Sequence, residues 1–257
     1  MGLLTKENWL WLVPLIIVIL LWQFIAVYVI NNPSKLPPFS DVILSFYELR
    51  EYIIPDILVS LFHFAIGLAL AFAVALPLAI AMGWFDTVFK AVDPIIEILR
   101  PIPPLAWIPL AIAWFLLTHY AAGFIIFIGA FFPILIASYT GFRDVPKVLV
   151  ETGKVLGCVG NRKLIRYVAI PYALPSIATG TRVGMGVAWM CVVAAEMFGV
   201  SNYGLGYRMF AVFYPFHQLD YVITYMLILG LLALCLDRLF RHFVEDKLFK
   251  WKKGIVK

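Results

Sequence analysis

Long apolar runs, each bounded by polar or charged residues, dominate the pattern of this chain of 257 residues. The first run extends from Trp9 to Ile30 without a charge. At 1.5 Å per residue it measures about 33 Å, the thickness of a bilayer core. The pattern therefore predicts an all-α, polytopic membrane protein with one transmembrane domain over residues 1–257. Its six predicted spans lie at about 9–30, 57–83, 101–117, 121–141, 175–198 and 219–240.

Prolines interrupt the uncharged stretch from Pro101 to Phe142, which is long enough for two passes. We interpret it as a hairpin that turns at 118–120. Pro101, Pro103 and Pro104 cannot all remain in a regular helix, because each lacks an amide donor. The third span is therefore predicted to be broken near its inner end, which is typical of helices that line a transport cavity. A plain cytoplasmic linker is the alternative.

Two amphipathic segments between the spans predict helices that lie along the membrane surface. The first is predicted to begin with Ser40 as its N-cap on the outer side. The second lies on the inner side, where Asp93 and Pro94 suggest an N-cap followed by proline at the first helical position. Within the second predicted span, Pro77 is expected to produce a kink.

Composition excludes the soluble and disordered classes. Apolar residues make up 63% of the chain and charged residues 14%, whereas a soluble domain has about 25% charged residues. The first apolar run is too long for the core of a signal peptide. Cys158, Cys191 and Cys235 have no spacing typical of redox or metal sites, so we interpret them as packing residues and predict no cofactor and no metal.

The distribution of basic residues predicts the orientation. Sixteen of the 20 lysines and arginines lie in the predicted inner loops and tails, three lie outside and Arg182 lies within a span. By the positive-inside rule, both termini are cytoplasmic in a cell membrane. This distribution also explains the sequence pI of about 9.1 without nucleic acid as a partner.

Arg182 and Glu196 are the formal charges within the fifth predicted span, where ionisable groups are rare and often functional. They are 14 residues apart on one helix, about 21 Å along its axis, so they cannot pair within one chain. Arg182 either extends to lipid phosphates or lines an anion path. Glu196 either reaches interfacial water at the helix end or has a functional role. His63 is interpreted as a hydrogen-bonded packing residue.

The longest predicted inner loop, residues 142–174, contains a short amphipathic helix that starts after Pro146. Its apolar residues include Val148, Val155 and Leu156, with charged residues on the other face. Such a helix suits docking into the groove of a partner, and its spacing equally suits a membrane surface.

The loop resembles that of the permease subunits of ATP-binding cassette (ABC) importers, which carries Glu-Ala-Ala, three residues, Gly, and later an aliphatic-x-Leu-Pro. Glu151, Gly157 and the pair Ile170-Pro171 match this pattern, and Thr152 and Gly153 replace the two alanines. The segments 100–110, 194–196 and 204–207 are similar to the nitrate, sulfonate, taurine and bicarbonate branch of these permeases.

The resemblance implies the type I importer permease fold, a homodimer in membrane lipid, two cytoplasmic ABC ATPase subunits and an external substrate-binding protein. It implies a small oxyanion as solute. The implied coupling residues are Glu151, Thr152, Gly153, Gly157, Ile170 and Pro171, and the candidate path residues are Arg182, Glu196, Pro103 and Pro104.

The remaining motifs bear on ATP hydrolysis and on two alternative functions. The chain lacks G-x4-G-K-[ST], so ATP hydrolysis is assigned to a separate subunit and the chain is predicted not to be an enzyme. An intramembrane enzyme is disfavoured because neither H-E-x-x-H nor G-x-S-x-G occurs. An ion-coupled secondary transporter stays the alternative, since broken helices and buried charges suit it too.

Overall fold

The computed structural model describes residues 12–248, and every regular element among them is helical. Predictions for residues 1–11 and 249–257, including the start of the first span at Trp9 and most of the basic tail, lie outside the described residues. The helices are α1 (Leu12–Phe24, continued by π-helical Ile25–Ile30), α2 (Phe39–Glu48), α3 (Arg50–Trp84), α4 (Asp86–Leu99), α5 (Ile108–Phe115), α6 (His119–Arg143), α7 (Lys147–Val155), α8 (Asn161–Leu164), α9 (Ile170–Met197), α10 (Leu205–Tyr207) and α11 (Leu219–Phe240).

Five stretches are long and apolar enough to cross a membrane, namely Val13–Ile30, Arg50–Trp84, His119–Arg143, Asn161–Met197 and Leu219–Val244. A sixth arises if Asp86–Leu99 and Pro104–Phe115, which meet at 89°, are counted as one broken span. The predicted all-α, polytopic class is confirmed, and its sixth span depends on this bent pair.

Helix α6 forms the centre of the bundle, between α3 and α9. In the most apolar 18 residues of α6, 72% are buried. In Val13–Ile30 only 6% are buried, so α1 is peripheral. Small residues let the backbones approach closely, because a Cβ on Gly67 would lie 2.5 Å from Ile126 and a Cβ on Gly180 would lie 2.6 Å from Ala137. The three cysteines are free; Cys191 is buried as predicted, whereas Cys235 is exposed.

Helices form in both segments predicted to lie along the membrane surface, but their starts differ from the prediction. Helix α2 begins at Phe39 with Pro38 as N-cap, so the predicted Ser40 cap is wrong. The predicted start at Asp93 is also wrong, because α4 begins at Asp86 and continues through Pro94. Contacts with α6 stabilise this earlier start: Arg143 Nη1 lies 3.6 Å from Asp86 Oδ1, and its guanidinium lies 4.0 Å above the ring of Phe89.

The predicted break in the proline-rich segment is confirmed. Helix α4 ends at Leu99, a 3-10 turn follows at Pro104–Trp107, and α5 has only eight residues. Leu116 then adopts φ +57°, Thr118 precedes α6, and His119 is already helical. The chain therefore reverses at residues 116–118, two residues before the predicted turn at 118–120. The positive φ of Leu116 begins this reversal.

Helix α9 begins at Ile170, five residues before the predicted start at Pro175. The π-helical segment Ile165–Ala169 leads directly into α9, so Pro171 lies within one continuous helical stretch, and the helix continues through Pro175. Helix α3 likewise continues through Pro55 and Pro77 over 35 residues. Pro94 and Pro175, which sequence reasoning used as helix starts, thus lie inside helices.

Candidate functional site

The predicted coupling residues lie on and around α7, in the loop between α6 and α9. Glu151 and Thr152 are exposed on α7, and the Thr152 hydroxyl donates to the carbonyl of Val148 at 2.8 Å. Gly153 is buried because α7 packs there on the start of the next helical stretch; a Cβ at Gly153 would lie 2.8 Å from Val168. A small residue is therefore required at this position.

Gly157 ends α7 in a geometry that favours glycine. Its φ is +91°, and no atom lies within 4 Å of a Cβ built there, so the requirement is conformational rather than steric. The N–H of Gly157 donates to the carbonyl of Lys154 at 3.1 Å, and the N–H of Cys158 donates to that of Gly153 at 2.9 Å. These two bonds form a Schellman motif, which fixes where the chain leaves α7.

A groove joins α7 to the start of α9, and it brings three predicted coupling residues together. Its volume is about 460 Å³. It is lined by Leu149, Thr152, Gly153, Leu156, Tyr167, Val168, Pro171, Tyr172 and Leu174. Ile170 precedes Pro171 and is half-buried, whereas Glu151 lies outside the groove.

Apolar side chains beside this groove are exposed although they lie outside the spanning stretches. Val155 is 86% exposed and Leu156 is 79% exposed, and Val148 and Val159 are exposed as well. Contiguous exposed apolar side chains outside the bilayer core mark a contact surface for protein or membrane. The groove and these side chains form a surface that can accept a protein partner.

Arg182 has a partner that neither sequence interpretation included. Its Nε lies 2.6 Å from Asp237 Oδ1 and its Nη2 lies 3.1 Å from Oδ2, a two-point ion pair between α9 and α11. Both side chains are about one-third exposed. The pair borders an apolar cavity of about 190 Å³ lined by Phe64, Arg182, Met185, Gly186, Trp189, Met190, Ala233, Leu236, Asp237 and Phe240.

A second, larger groove lies next to this cavity along α3. It is open, has a volume of about 720 Å³, and shares Phe64 and Leu236 with the cavity. Its α3 wall carries small side chains, including Ala65, Ala69 and Ala73. The cavity with the ion pair at its edge, together with this adjoining groove, can border a solute path.

Glu196 does not reach interfacial water, and that interpretation is wrong. Its side chain is fully buried and accepts hydrogen bonds from Ser60 Oγ at 2.9 Å and from the N–H of Gly206 at 2.9 Å. His63 Nδ1 lies 2.8 Å from Glu196 Oε1, and His63 Nε2 lies 2.7 Å from His119 Nδ1. His63 is thus hydrogen-bonded as predicted, with Glu196 and His119 as partners.

Asp56 forms a second buried carboxylate site one helical turn before Ser60. It accepts hydrogen bonds from Arg208 Nε at 2.8 Å, Tyr225 Oη at 2.7 Å and the N–H of Gly204 at 3.0 Å. Burial lowers the pKa of Arg208, but the hydrogen bond and charge of Asp56 outweigh burial and raise it above the ordinary arginine value. Arg208 is therefore cationic beside this carboxylate.

These two buried carboxylates hold one short piece of chain, residues 204–213, which comprises Gly204, α10 and π-helical Arg208–Phe213. Successive N–H groups of Gly204, Leu205 and Gly206 donate to Asp56, Ser60 and Glu196 respectively. Two features require glycine at position 204. Its φ is +129°, and a Cβ there would lie 2.6 Å from the Glu196 carboxyl carbon.

The four candidate path residues therefore do not form one cluster. Arg182 pairs with Asp237 and Glu196 belongs to the buried network with His63, while Pro103 and Pro104 lie in the break before α5. Among the described residues, no hydrogen bond or ion pair joins Arg182 to Glu196, in agreement with the predicted separation.

Sequence reasoning missed several residues of these sites. Asp56 and Ser60 recur with His63 at i, i+4 and i+7, which puts the three residues on one face of α3. This polar stripe is visible in the sequence and could have predicted the two missed residues. Asp237 and His119 gave no comparable signal, because their partners are 55 and 56 residues away in the chain.

Comparison with known proteins finds similarity over most of the chain. Residues 73–247 match the family model described as binding-protein-dependent transport system inner membrane component. A protein of Methanocaldococcus jannaschii named as an ABC transporter permease is 47% identical over 256 residues, which cover 97% of this chain and 94% of that protein.

Two further relatives have names that include a solute. The nitrate import permease protein of Synechocystis sp. is 35% identical over 191 residues, covering 74% of this chain and 68% of that protein. A Bacillus subtilis protein named as an aliphatic sulfonates transport permease is 30% identical over 240 residues, covering 93% and 86%.

Proposed function

Since the chain belongs to the family of binding-protein-dependent transport system inner membrane components, we propose that it forms, as a homodimer, the path of a small oxyanion across the cell membrane. It is the permease subunit of an ABC importer, and ATP hydrolysis resides in a separate ATPase subunit. An ATPase and a substrate-binding protein are its partners. Family membership decides against the ion-coupled secondary transporter.

The α7 surface is the proposed docking site of the ATPase, and the observation that carries it is the exposed apolar pair Val155 and Leu156 outside the bilayer. In this proposal Gly157 and Gly153 fix the path of α7, because one ends the helix and the other lets it pack closely. Glu151 and Thr152 face the partner, and the helical segment at Ile170-Pro171 transmits the motion of α7 to α9. These residues position the helix and do no chemistry.

The proposed solute follows from the relatives and from one charged group. The relatives named above for nitrate and for aliphatic sulfonates both concern oxyanions. Arg182 supplies a guanidinium at the edge of the apolar cavity, and guanidinium groups match planar or tetrahedral oxyanions well. We assign Arg182 to the path on this ground, with nitrate, a sulfonate, taurine or bicarbonate as solute. Glu196, Pro103 and Pro104 take supporting roles in our proposal.

The second copy is assigned to the open groove along α3. Its small side chains allow another helix to approach, and membrane lipid covers the rest of the surface, including α1. Both termini are proposed to be cytoplasmic, which puts α7 on the side of the ATPase and the 204–213 segment on the side of the binding protein.

Charge substitution on α7 tests the docking proposal. Leu156→Glu removes an exposed apolar contact without disturbing the permease core, so we expect the cognate ATPase subunit to co-purify poorly while membrane insertion is unchanged. The measurement is the ratio of ATPase to permease after affinity purification of the membrane complex. Phe216→Glu is the matched control, since Phe216 is 73% exposed beyond the opposite end of α9.

If the Leu156→Glu permease retains the ATPase at the ratio of the unaltered protein, the docking surface lies elsewhere. If Phe216→Glu loses the ATPase equally, the effect is one of general charge or folding, and the α7 proposal fails.

A further inference from the structure

Asp237, near the C-terminal end of α11, contacts two arginines. Its Oδ1 lies 2.6 Å from Arg182 Nε, and its Oδ2 lies 3.1 Å from Arg182 Nη2 and 3.5 Å from Arg241 Nη2. Arg241 stands four residues further on, where the π-helical continuation of α11 begins. Asp237 therefore has a second guanidinium within reach of a side-chain rotation.

The ion pair of Arg182 and Asp237 borders open space. It lines the apolar cavity of about 190 Å³ described above. It also lines a cleft of about 320 Å³, whose walls are Thr179, Arg182, Val183 and Asp237. The two paired side chains are about one-third exposed, and Arg241 is about half exposed. A small solute in the cleft therefore contacts the ion pair directly.

Arg182 is the donor that this cleft presents to an anion. Thr179 Oγ1 already donates to the carbonyl of Pro175 at 2.9 Å, and Val183 has no polar side-chain atom. A guanidinium binds two oxygens of one anionic group side by side, whether the group is a carboxylate or another oxyanion. Asp237 thus occupies one edge of Arg182 in the way that a solute oxyanion would.

We infer that Asp237 is an internal competitor for the solute at Arg182. An oxyanion displaces the carboxylate from Arg182, and Asp237 turns to Arg241 while the solute is bound. Because Arg182 belongs to the solute path only under the proposed function, the exchange rests on that function. No covalent bond and no proton is involved, and Asp237 acts on the solute through Arg182, as a positioning residue.

The exchange keeps the Asp237 carboxylate compensated in both states. A carboxylate that loses its cation inside a helix bundle is strongly unfavourable, and the contact with Arg241 avoids this loss. An ion pair between partly exposed groups is weak, so a solute can break it. The pair re-forms when the solute leaves, which favours release from the path.

The same competition selects for the shape of the anion. Nitrate, bicarbonate and sulfonate groups each carry several oxygens on one atom, so they can replace both hydrogen bonds between Arg182 and Asp237. Chloride is a single atom and can replace only one of them. The competition by Asp237 therefore favours oxyanions over chloride at Arg182.

Anion binding to the full-length permease, without an ATPase or a binding protein, tests this inference. The unfolding temperature of the purified permease is measured while sodium nitrate, or in a second series sodium methanesulfonate, replaces sodium chloride at constant ionic strength. Its rise gives the dissociation constant of the oxyanion. Asp237→Asn keeps the size of the side chain and an oxygen for Arg182 but removes the charge, so we expect this constant to fall about fivefold. Arg182→Gln is expected to abolish the stabilisation.

Arg241→Gln tests the exchange while the contact between Arg182 and Asp237 stays in place. Asp237 then lacks the guanidinium that receives it, so the dissociation constant of the oxyanion is expected to rise about fivefold. Arg238→Gln is the matched control, because it removes the same charge from the exposed neighbour of Asp237 and should leave the constant nearly unchanged.

Equal oxyanion affinity in Asp237→Asn and in the unaltered permease overturns the inference. Equal effects of Arg241→Gln and Arg238→Gln also overturn it, since the effect is then one of general charge. Stabilisation that persists in Arg182→Gln, or that neither oxyanion produces in any of these proteins, does the same. The proposed function is judged separately, because it fails only if the assembled transporter imports none of the proposed oxyanions, and no uptake is measured here.

Discussion

Asp56, Asp237 and Glu196 are carboxylates on membrane-spanning helices, and each has its own compensation. Asp56 has the guanidinium of Arg208, Asp237 has that of Arg182, and Glu196 has a hydroxyl, an amide and an imidazole. Removing one member of a buried pair leaves an uncompensated charge, which commonly costs about 3–5 kcal/mol. These side chains therefore constrain which helices neighbour one another more tightly than apolar contacts do.

Gly157 gives a prediction at the scale of one residue. Gly157→Ala forces an L residue into the left-handed region, which costs about 1–2 kcal/mol and weakens the C-terminal end of α7. We expect lower affinity for the ATPase and weaker stimulation of ATP hydrolysis by solute, with normal membrane insertion. Solute-stimulated ATPase activity of the purified complex measures this.

The control is Gly230→Ala in α11, where φ is ordinary and no atom lies within 4 Å of the added Cβ. Wild-type stimulation in Gly157→Ala would show that the Schellman geometry of α7 does not matter for coupling.

At the scale of elements, the spans were predictable and their ends were not. Bilayer thickness demands long apolar helices, so uncharged runs located the helices near 57–83, 121–141 and 219–240. Prolines misled the assignment of starts, because Pro94 and Pro175 lie inside helices although each lacks an amide donor. The pairing of Arg182 with Asp237 depends on how α9 meets α11, which spacing along one helix does not determine.

The ion pair between α9 and α11 gives a prediction for these two elements. Asp237→Ala leaves the Arg182 guanidinium without its carboxylate, so we expect lower membrane yield and slower uptake. The exchange Arg182→Asp with Asp237→Arg restores an ion pair and should recover more activity than either single change. Uptake into vesicles with the assembled transporter, normalised to permease content, measures the recovery.

Arg238→Ala serves as the control, because Arg238 is the exposed neighbour of Asp237 on α11. Full activity in Asp237→Ala would mean that the ion pair stabilises neither the helix contact nor the path.

For the whole molecule, the buried polar network and the proposed docking surface lie at opposite ends of α9. Glu196 is next to its C-terminal end, and the groove of α7 includes Pro171 in its first turn. A change at one end can reach the other through the rigid helix, as alternating access requires. In our proposal the α7 end is cytoplasmic, as the distribution of basic residues predicts.

Reporter fusions check this orientation in cells. A fluorescent protein fused after residue 257 is expected to fluoresce, and alkaline phosphatase at the same place is expected to be inactive, because the positive-inside rule puts this terminus in the cytoplasm. Alkaline phosphatase inserted at Asn202, between α9 and α10, is expected to be active and serves as the control. The reverse pattern would invert the whole topology.

The buried network has a consequence for the order of synthesis. Asp56 and Ser60 leave the ribosome 152 and 136 residues before their partners Arg208 and Glu196. At about 5–20 residues per second, α3 exists for roughly 10–30 s without the groups that compensate it. The nascent helix must meanwhile keep its polar end in the headgroup region, and it settles into its final depth only after α9 and the 204–213 segment have emerged.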